Sequence, residues 1–268
     1  MKQKLKPSFS EEEGKKFVQE LFEEAMKHRA LSHPYLQALK DGSFPDPLGA
    51  IKDFGYQYLA YSRDFLRYLT ATISQLEDRK HREQLIHNLT EEAGHVSPDD
   101  EKALNEIQID INWIQGVPHP DLFIRFLDGL GMNLEWRSSR NQCDEARVWS
   151  AMFLNCCASG GPAQAIGAMG VGTESIVKFI YKPILEAIDT HTSLSREQRV
   201  FFDLHAALDD EHGEVMMDIA AFYAQYRRYR APLRTGMLMA LNLRTGFFDA
   251  MKVRAEAMPA AKGGKKVA

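Results

Sequence analysis

The chain has 268 residues, with 33 basic and 37 acidic side chains and a formal net charge of −4. Charges of both signs are mixed along it, which gives no electrostatic basis for nucleic-acid binding. No run of about 18 apolar residues occurs, so no membrane-spanning helix is expected, and the N-terminal segment is too charged for a signal peptide. The odd number of cysteines and the lack of a Cys-x-x-Cys spacing indicate a reducing compartment without thiolate metal sites. We therefore expect a cytoplasmic protein.

Helical signals dominate the first half of the chain. Ser10, followed by three glutamates, predicts a helix that begins there and runs to about His28. The prolines and glycine of residues 32–47 predict a turn region. Apolar and aromatic residues at helical spacing predict a helix over 48–73, and a further helix is predicted over 76–93. Beyond it the pattern is irregular, with a short helix around Glu101 to Trp113.

The second half continues the helical pattern. Helices are predicted over 119–131, 144–158, 162–189, 195–229 and 233–257, and the first should stop at Gly129 or Gly131. No alternating apolar–polar run is bounded by hairpin turns, so essentially no sheet is expected. The prediction is a bundle of about seven or eight helices in one domain over residues 1–258. Residues 259–268 should form a disordered basic tail.

The segment 201–220 has the strongest pattern for chemistry. His205, Asp209 and His212 are spaced i, i+4 and i+7, which places them within an arc of about 60° on one helix face. Asp210 points to the other side. Two imidazoles and a carboxylate form a ligand set that suits non-heme iron or another borderline metal.

Further ligands must come from other helices. Glu91 and Glu92 lie near the end of an amphipathic helix, and His119 begins one. Glu174 lies in a largely apolar stretch, where a carboxylate needs a partner because burying it alone is costly. Taken alone, each of these residues can be explained by an ordinary structural role, as a surface acid, a helix cap or a hydrogen-bonded polar group in the core. Only their joint order along the chain favours a metal site. Small residues before Glu174 predict that a neighbouring helix approaches closely: Gly167, Gly170 and Gly172.

The order of these segments resembles the heme-oxygenase-like diiron oxidases and oxygenases. Their relatives include the chlamydial death-domain-associated protein, the 1-undecene-forming fatty-acid decarboxylase and the more distant PqqC and TenA proteins. The resemblance covers residues 30–250 in four blocks: HPYLQALKDG, NLTEEAG, HPDLFIRFLDGLG, and the stretch from TES to HAALDDEH. The intervals of 55 residues from His119 to Glu174 and of 31 residues from Glu174 to His205 also agree with the family.

The resemblance implies an all-α heme-oxygenase-like fold that holds Fe(II), with two ions per chain. The implied ligands are Glu92, His119, Glu174, His205, Asp209 and His212. An insertion over residues 96–117 separates the acidic block from His119, so His95 competes with His119, which is preferred because HPDLFIRF matches the family block. Glu91 is the alternative to Glu92, and Asp64 is a candidate for the extra carboxylate ligand of some N-oxygenating members.

The function implied by the resemblance is that of an iron-dependent oxidoreductase that activates O2. The substrate would be a small organic molecule of amino-acid, amine or fatty-acid type, in the biosynthesis of a specialised metabolite or cofactor. The expected partners are the substrate and O2. The resemblance also allows an external reductant and a homodimer, whereas neither nucleic acid nor a membrane is expected as a partner. Two alternatives stay open: a metal-independent enzyme like PqqC or TenA, in which Cys156 or Cys157 would have to act as a nucleophile, and a non-enzymatic helical interaction protein.

A closed, mostly apolar pocket beside the metals is also expected, because oxidation by activated O2 needs shelter from solvent. No catalytic residue beyond the metal ligands is predicted. The residues expected to line the pocket and bind the substrate are Tyr61, Phe65, Phe123, Phe153, Met169 and Met216.

Overall fold

The computed structural model describes residues 6–97, 101, 102, 104, 106, 108–132, 142–207 and 211–260. Within these ranges every regular element is helical and no strand occurs, as the sequence predicts. None of the described helices combines the length and the apolar character needed to cross a lipid bilayer. Of the predicted tail over 259–268, the residues from 261 onward lie outside the described part of the chain.

The described ranges contain more α-helices than the seven or eight predicted. A π-helical segment (Gly167–Val171) and two 3-10 turns (Ile111–Trp113 and Glu174–Ile176) lie between some of them. In chain order the α-helices are α1 (Glu11–Met26), α2 (Pro34–Asp41), α3 (Pro47–Ser62), α4 (Phe65–Gln75), α5 (Arg79–Glu92), α6 (His119–Gly129), α7 (Asp144–Ser159), α8 (Gly161–Ile166), α9 (Val177–His191), α10 (Arg196–Ala207), α11 (Glu211–Ala224) and α12 (Arg227–Glu256).

Local signals at two helix ends are confirmed. Ser10 caps α1: its hydroxyl accepts a hydrogen bond from the Glu13 amide at 3.2 Å, and the Glu13 carboxylate accepts one from the Ser10 amide at 2.8 Å. This reciprocal pair satisfies two amides that the helix leaves without partners. Helix α6 begins at His119 and ends at Gly129, the boundaries that the sequence predicts.

The turn predicted over 32–47 contains a helix instead. Pro34 lies in the first turn of α2, where its missing N–H is not needed. His33 caps this helix, because its Nδ1 accepts a hydrogen bond from the Tyr35 amide at 3.1 Å. Proline here starts a helix rather than breaking one, which explains part of the larger helix count.

Two long predicted helices are divided. The helix over 48–73 breaks at Arg63 and Asp64, and the one over 162–189 becomes α8, the π-helical segment, a 3-10 turn and α9. In the helix predicted over 162–189, regular α-helical hydrogen bonding is interrupted at a glycine-containing π-helical segment, whose turns contain more residues than α-helical turns. Helical spacing of apolar residues continues across both breaks, so periodicity alone does not reveal them.

The longest helix, α12, packs closely on the π-helical segment and α8. A Cβ added to Gly167 would lie 2.1 Å from the Leu233 carbonyl oxygen, and one added to Gly236 would lie 2.0 Å from the Gln164 carbonyl oxygen. Glycine is therefore required on both sides of this contact. The predicted close approach around Gly167, Gly170 and Gly172 is confirmed, and the buried apolar residues of the helices form one continuous core.

Candidate metal centre

Three side chains from three helices converge at the end of α5. They are Glu92, the last residue of α5, His119, the first residue of α6, and His205 near the end of α10. One ligand atom from each lies within 4.8 Å of the other two. Glu92 is almost fully buried at 2% exposure, and its Oε2 lies 2.9 Å from Nδ1 of His119. Bonds from such ligands to a first-row ion such as zinc are about 2.0–2.2 Å long, so this cluster has nearly the dimensions of a single metal site.

The two ends of the insertion over 96–117 lie close together in the structure. Gly94 follows α5 with φ at +94°, and its carbonyl oxygen accepts a hydrogen bond from the Gly116 amide at 2.7 Å. A Cβ on Gly94 would lie 2.6 Å from the backbone of Val117, so this closure requires glycine. Residues far apart in sequence thereby become neighbours, and His119 is placed beside Glu92 despite the insertion.

His205 is oriented by a backbone hydrogen bond. Its Nδ1 lies 2.6 Å from the Phe201 carbonyl oxygen, which can only accept, so the proton is on Nδ1. The lone pair is then on Nε2, the nitrogen that lies 4.0 Å from Oε1 of Glu92. A backbone carbonyl that fixes the tautomer of an imidazole is the usual support for a metal-binding histidine. Burial and the neighbouring His119 lower the pKa of His205 to about 4, so the ring is neutral at neutral pH.

A second pair of potential ligands lies next to the first group. Nε2 of His212, in α11, lies 2.7 Å from Oε2 of Glu91, and its Nδ1 lies 3.8 Å from Oε1 of Glu92. Burial opposes the charged form, but the hydrogen bond to Glu91 and the nearby charges of Glu92 and Glu174 raise the pKa of His212 to about 9. The structure thus places both acids of the EE pair near histidines.

Glu174 faces the same region from the broken helix. It begins the 3-10 turn after the π-helical segment, and the backbone at Thr173 is irregular, with φ −136° and ψ −73°. Glu174 and Thr173 both line a cavity that also contacts Glu92, His119 and His205. A π-helical segment often marks a functional site, since it changes the direction of the side chains that follow it.

The donor set fits a metal ion. Nδ1 of His119 is buried and lies close to Glu92, yet it has no hydrogen-bond partner of acceptable geometry. Burial would raise the pKa of Glu92, but the surrounding His119, His205 and His212 lower it to about 2, so it is an anion. A buried carboxylate beside several imidazoles, with one ring nitrogen unpaired, matches the mixed nitrogen and oxygen ligands of non-heme iron.

The cavity beside the cluster is narrow and, as predicted, mostly apolar, with polar groups at a few points of its wall. Its volume is about 30 Å³. Phe65, Val177 and Phe201 supply apolar wall, whereas tyrosine hydroxyls, two carboxylates, two imidazoles and a guanidinium supply the polar part. The wall therefore suits a ligand that combines an apolar part with at least one polar group.

Several predicted residues lie elsewhere. His95 is exposed and outside the cluster. Asp64 immediately precedes α4, does not line the cavity, and binds Arg67 at 3.1 Å. Asp209 and Asp210 lie outside the described residues, as does the stretch between α10 and α11 within the helix predicted over 195–229.

Of the predicted substrate-binding residues, Tyr61 and Phe65 line the cavity. The other four are fully buried in the core rather than on the cavity wall, because their helix faces meet other helices: Phe123, Phe153, Met169 and Met216.

Arg244, Tyr58 and Tyr181 are cavity residues that were not predicted from the sequence. All three line the cavity, and the hydroxyls of Tyr58 and Tyr181 lie 2.6 Å apart. A signal for Arg244 was present, because it occupies a position of α12 where the helical spacing of Met237, Leu241 and Phe248 predicts an apolar residue. An arginine on a buried helix face requires a partner or a function.

The cysteines are remote from this chemistry. Cys156 and Cys157 are buried in α7, and neither lines the cavity. Burial raises the pKa of both thiols, to about 12 for Cys157. A nucleophilic cysteine needs a lowered pKa, so these thiols do not have the properties that a TenA-like hydrolase would require.

Comparison with known proteins identifies the family. Residues 52–245, most of the chain, match the profile of a family described as iron-containing redox enzymes. A search of curated proteins gives no significant match.

Solved structures share the fold at low sequence identity. A TenA homologue from Pseudomonas syringae pv. tomato aligns with a TM-score of 0.67 and 14% identity, covering 93% of this chain and 99% of that one. A CADD-like protein of unknown function from Nostoc punctiforme has a TM-score of 0.67 and 15% identity, with coverage of 92% and 100%. A domain of unknown function with a heme oxygenase-like fold from Shewanella denitrificans has a TM-score of 0.64 and 16% identity, with coverage of 88% and 89%. The protein has the heme-oxygenase-like fold and belongs to the family of iron-containing redox enzymes.

Proposed function

We propose that this member of the iron-containing redox enzyme family is a diiron oxidase or oxygenase that uses O2 to oxidise a small organic substrate. The observation that carries the proposal is the cluster of Glu92, His119 and His205, which opens directly onto a cavity. A metal held there would touch whatever occupies the cavity. A structural metal would instead be expected to have all its positions closed by protein.

The ligands divide into two groups. Glu92, His119 and His205 would hold one iron, because their ligand atoms already converge. Glu91 and His212 lie beside them and would hold a second iron, with Glu92 between the two groups. Glu174, on the cavity wall, and Asp209, which the family resemblance implies, would complete the coordination.

Iron would supply the redox chemistry, in which O2 gains electrons and the substrate loses them. Reduction of O2 to water takes four electrons, so a two-electron oxidation of the substrate would require an external reductant for the other two. The chain itself supplies position and shelter: the Phe201 carbonyl holds the His205 ring, and the packed wall limits entry of water.

The test is the reaction of the Fe(II)-loaded protein with O2, followed by stopped-flow absorption and an oxygen electrode. We expect O2 consumption coupled to oxidation of the bound iron in the wild type. Glu92→Ala should abolish this reaction, whereas Glu83→Ala, an exposed site on the same helix α5, should leave it unchanged. An iron-loaded wild type that does not react with O2 faster than free Fe(II) would refute the proposal.

A further inference from the structure

A buried arginine without its full set of partners lies on the wall of the candidate active site. Arg244 is 1% exposed, and its Nε and Nη1 have no hydrogen-bond partner among the described residues. Its guanidinium carbon lies 5.2 Å from the ring centre of Trp149 and 5.9 Å from that of Tyr61. Ring contacts stabilise a cation only weakly compared with the cost of burying it, so an anion is the expected complement.

Other unpaired donors lie on the same wall. The Tyr61 hydroxyl and Thr173 Oγ1 are buried without a hydrogen-bond partner, and both residues line the cavity together with Arg244. Burial raises the pKa of Tyr61 well above its usual value, so its hydroxyl stays protonated and can donate. Buried polar atoms are nearly always hydrogen-bonded in folded proteins, so several unpaired ones around one cavity indicate a missing ligand.

We propose that Arg244, with Tyr61 and Thr173, binds the carboxylate of an aliphatic monocarboxylic acid that is the substrate. The assignment rests on the proposed function, since it takes the two carboxylates of the wall, Glu92 and Glu174, as metal ligands. One guanidinium matches the single negative charge of a carboxylate and offers it charge-assisted hydrogen bonds.

The chemistry of the wall excludes other substrate classes. A substrate whose only polar group is an amine would bring a second positive charge beside the guanidinium. A phosphate monoester carries nearly two negative charges and would leave part of its charge unpaired at this site. Phe65, Val177 and Phe201 belong to the same wall and give it an apolar part, against which an aliphatic chain would pack.

The test compares hexanoate with hexanamide, which has nearly the same shape without the charge. Dissociation constants are measured by calorimetry or ligand-observed NMR on metal-free protein and on anaerobic Fe(II) protein. We expect the wild type to prefer hexanoate, and Arg244→Gln to weaken hexanoate binding about 10- to 100-fold while changing the dissociation constant of hexanamide little.

Arg234→Gln is the matched control, because Arg234 lies on the same helix, is exposed and binds Glu24. Hexylamine and inorganic phosphate should not bind at the concentrations used for hexanoate.

Three results would overturn the assignment: no hexanoate binding by the wild type, unchanged hexanoate binding in Arg244→Gln, or an equal loss for both ligands, which would indicate a purely structural role. If Arg244→Gln does not fold, as judged by circular dichroism, Arg244→Lys decides. It should keep the preference for hexanoate with reduced affinity, and loss of that preference would overturn the assignment. Arg244-dependent binding to metal-free protein that takes up no iron would support the carboxylate site and refute the diiron function.

Discussion

At the scale of single residues, the candidate centre depends on which histidine accompanies Glu92. Sequence spacing alone allows His95 or His119, because both follow the acidic pair. The structure places Nδ1 of His119 at 2.9 Å from Glu92 and leaves His95 in solvent. The backbone closure at Gly94, which a linear pattern does not reveal, accounts for the difference.

We predict that His119→Ala weakens Fe(II) binding by more than about 10- to 100-fold, the loss that removing an outer partner of a metal ligand already causes. His95→Ala should bind iron like the wild type, because its side chain is exposed. Anaerobic equilibrium dialysis of both variants measures this. If His95→Ala loses iron and His119→Ala keeps it, His95 is the ligand and the assignment of His119 is wrong.

The cysteines provide a test of the metal-independent alternative. Because burial raises the pKa of Cys157 to about 12, its thiol stays protonated at pH 8, and only the thiolate is a good nucleophile. We predict slow alkylation of Cys156 and Cys157 by iodoacetamide at pH 8 in the native protein, with rapid reaction of all three cysteines in guanidinium chloride. Mass spectrometry of the labelled peptides gives the rates.

The variant Cys157→Ala should retain iron binding and reaction with O2. Rapid native alkylation of Cys157, or loss of substrate turnover in this variant with its iron intact, would instead support a nucleophilic cysteine.

The residue types of the cluster could be predicted from the sequence, but their surroundings could not. Glu92, His119 and His205 are recognisable by order and spacing. Arg244 lies 39 positions after His205, in a helix to which no site residue was assigned from the sequence. Only the assembled cavity shows that this arginine, Tyr61 and Thr173 face the same space.

At the scale of elements, breaks in helices position the site more than the helices themselves. Glu174 was expected within a continuous helix over 162–189, but it follows a π-helical segment and begins a 3-10 turn. The local cause of this break is the presence of Gly167, Gly170 and Gly172, and the close approach of a neighbouring helix was predicted from these glycines. The change of direction was not, because it depends on packing against α11 and α12.

The contact between the π-helical segment and α12 gives a stability prediction with a matched control. Gly236→Ala should lower the free energy of unfolding by about 1–3 kcal/mol, because its Cβ would meet the Gln164 carbonyl oxygen at 2.0 Å. Gly246→Ala, on the same helix, has nothing within 4 Å of its Cβ and should stabilise the protein by up to about 1 kcal/mol.

Urea unfolding followed by circular dichroism measures both variants. A stability of Gly236→Ala equal to or above that of Gly246→Ala would show that the two helices separate without cost, contrary to the packing described here.

At the scale of the whole molecule, the fold and the family were predictable, and the details of the interior were not. Helical periodicity without alternating runs was sufficient for the all-α class, and the four ordered blocks were sufficient for the heme-oxygenase-like family. The helix count was too low, since Pro34 begins a helix and two predicted helices are divided. The cavity is mostly apolar, as expected, but the polar side chains of Tyr58, Tyr181 and Arg244 in its wall were not predicted.

The measurement that tests the central claim most directly is an anaerobic Fe(II) titration monitored by Mössbauer spectroscopy. We predict saturation at two irons per chain in the wild type, and strongly reduced binding in Glu92→Ala, whose carboxylate lies between the two groups of ligands. Glu83→Ala should bind like the wild type. A wild-type protein that binds no iron, or a Glu92→Ala variant that binds it unchanged, would contradict the metal centre proposed here.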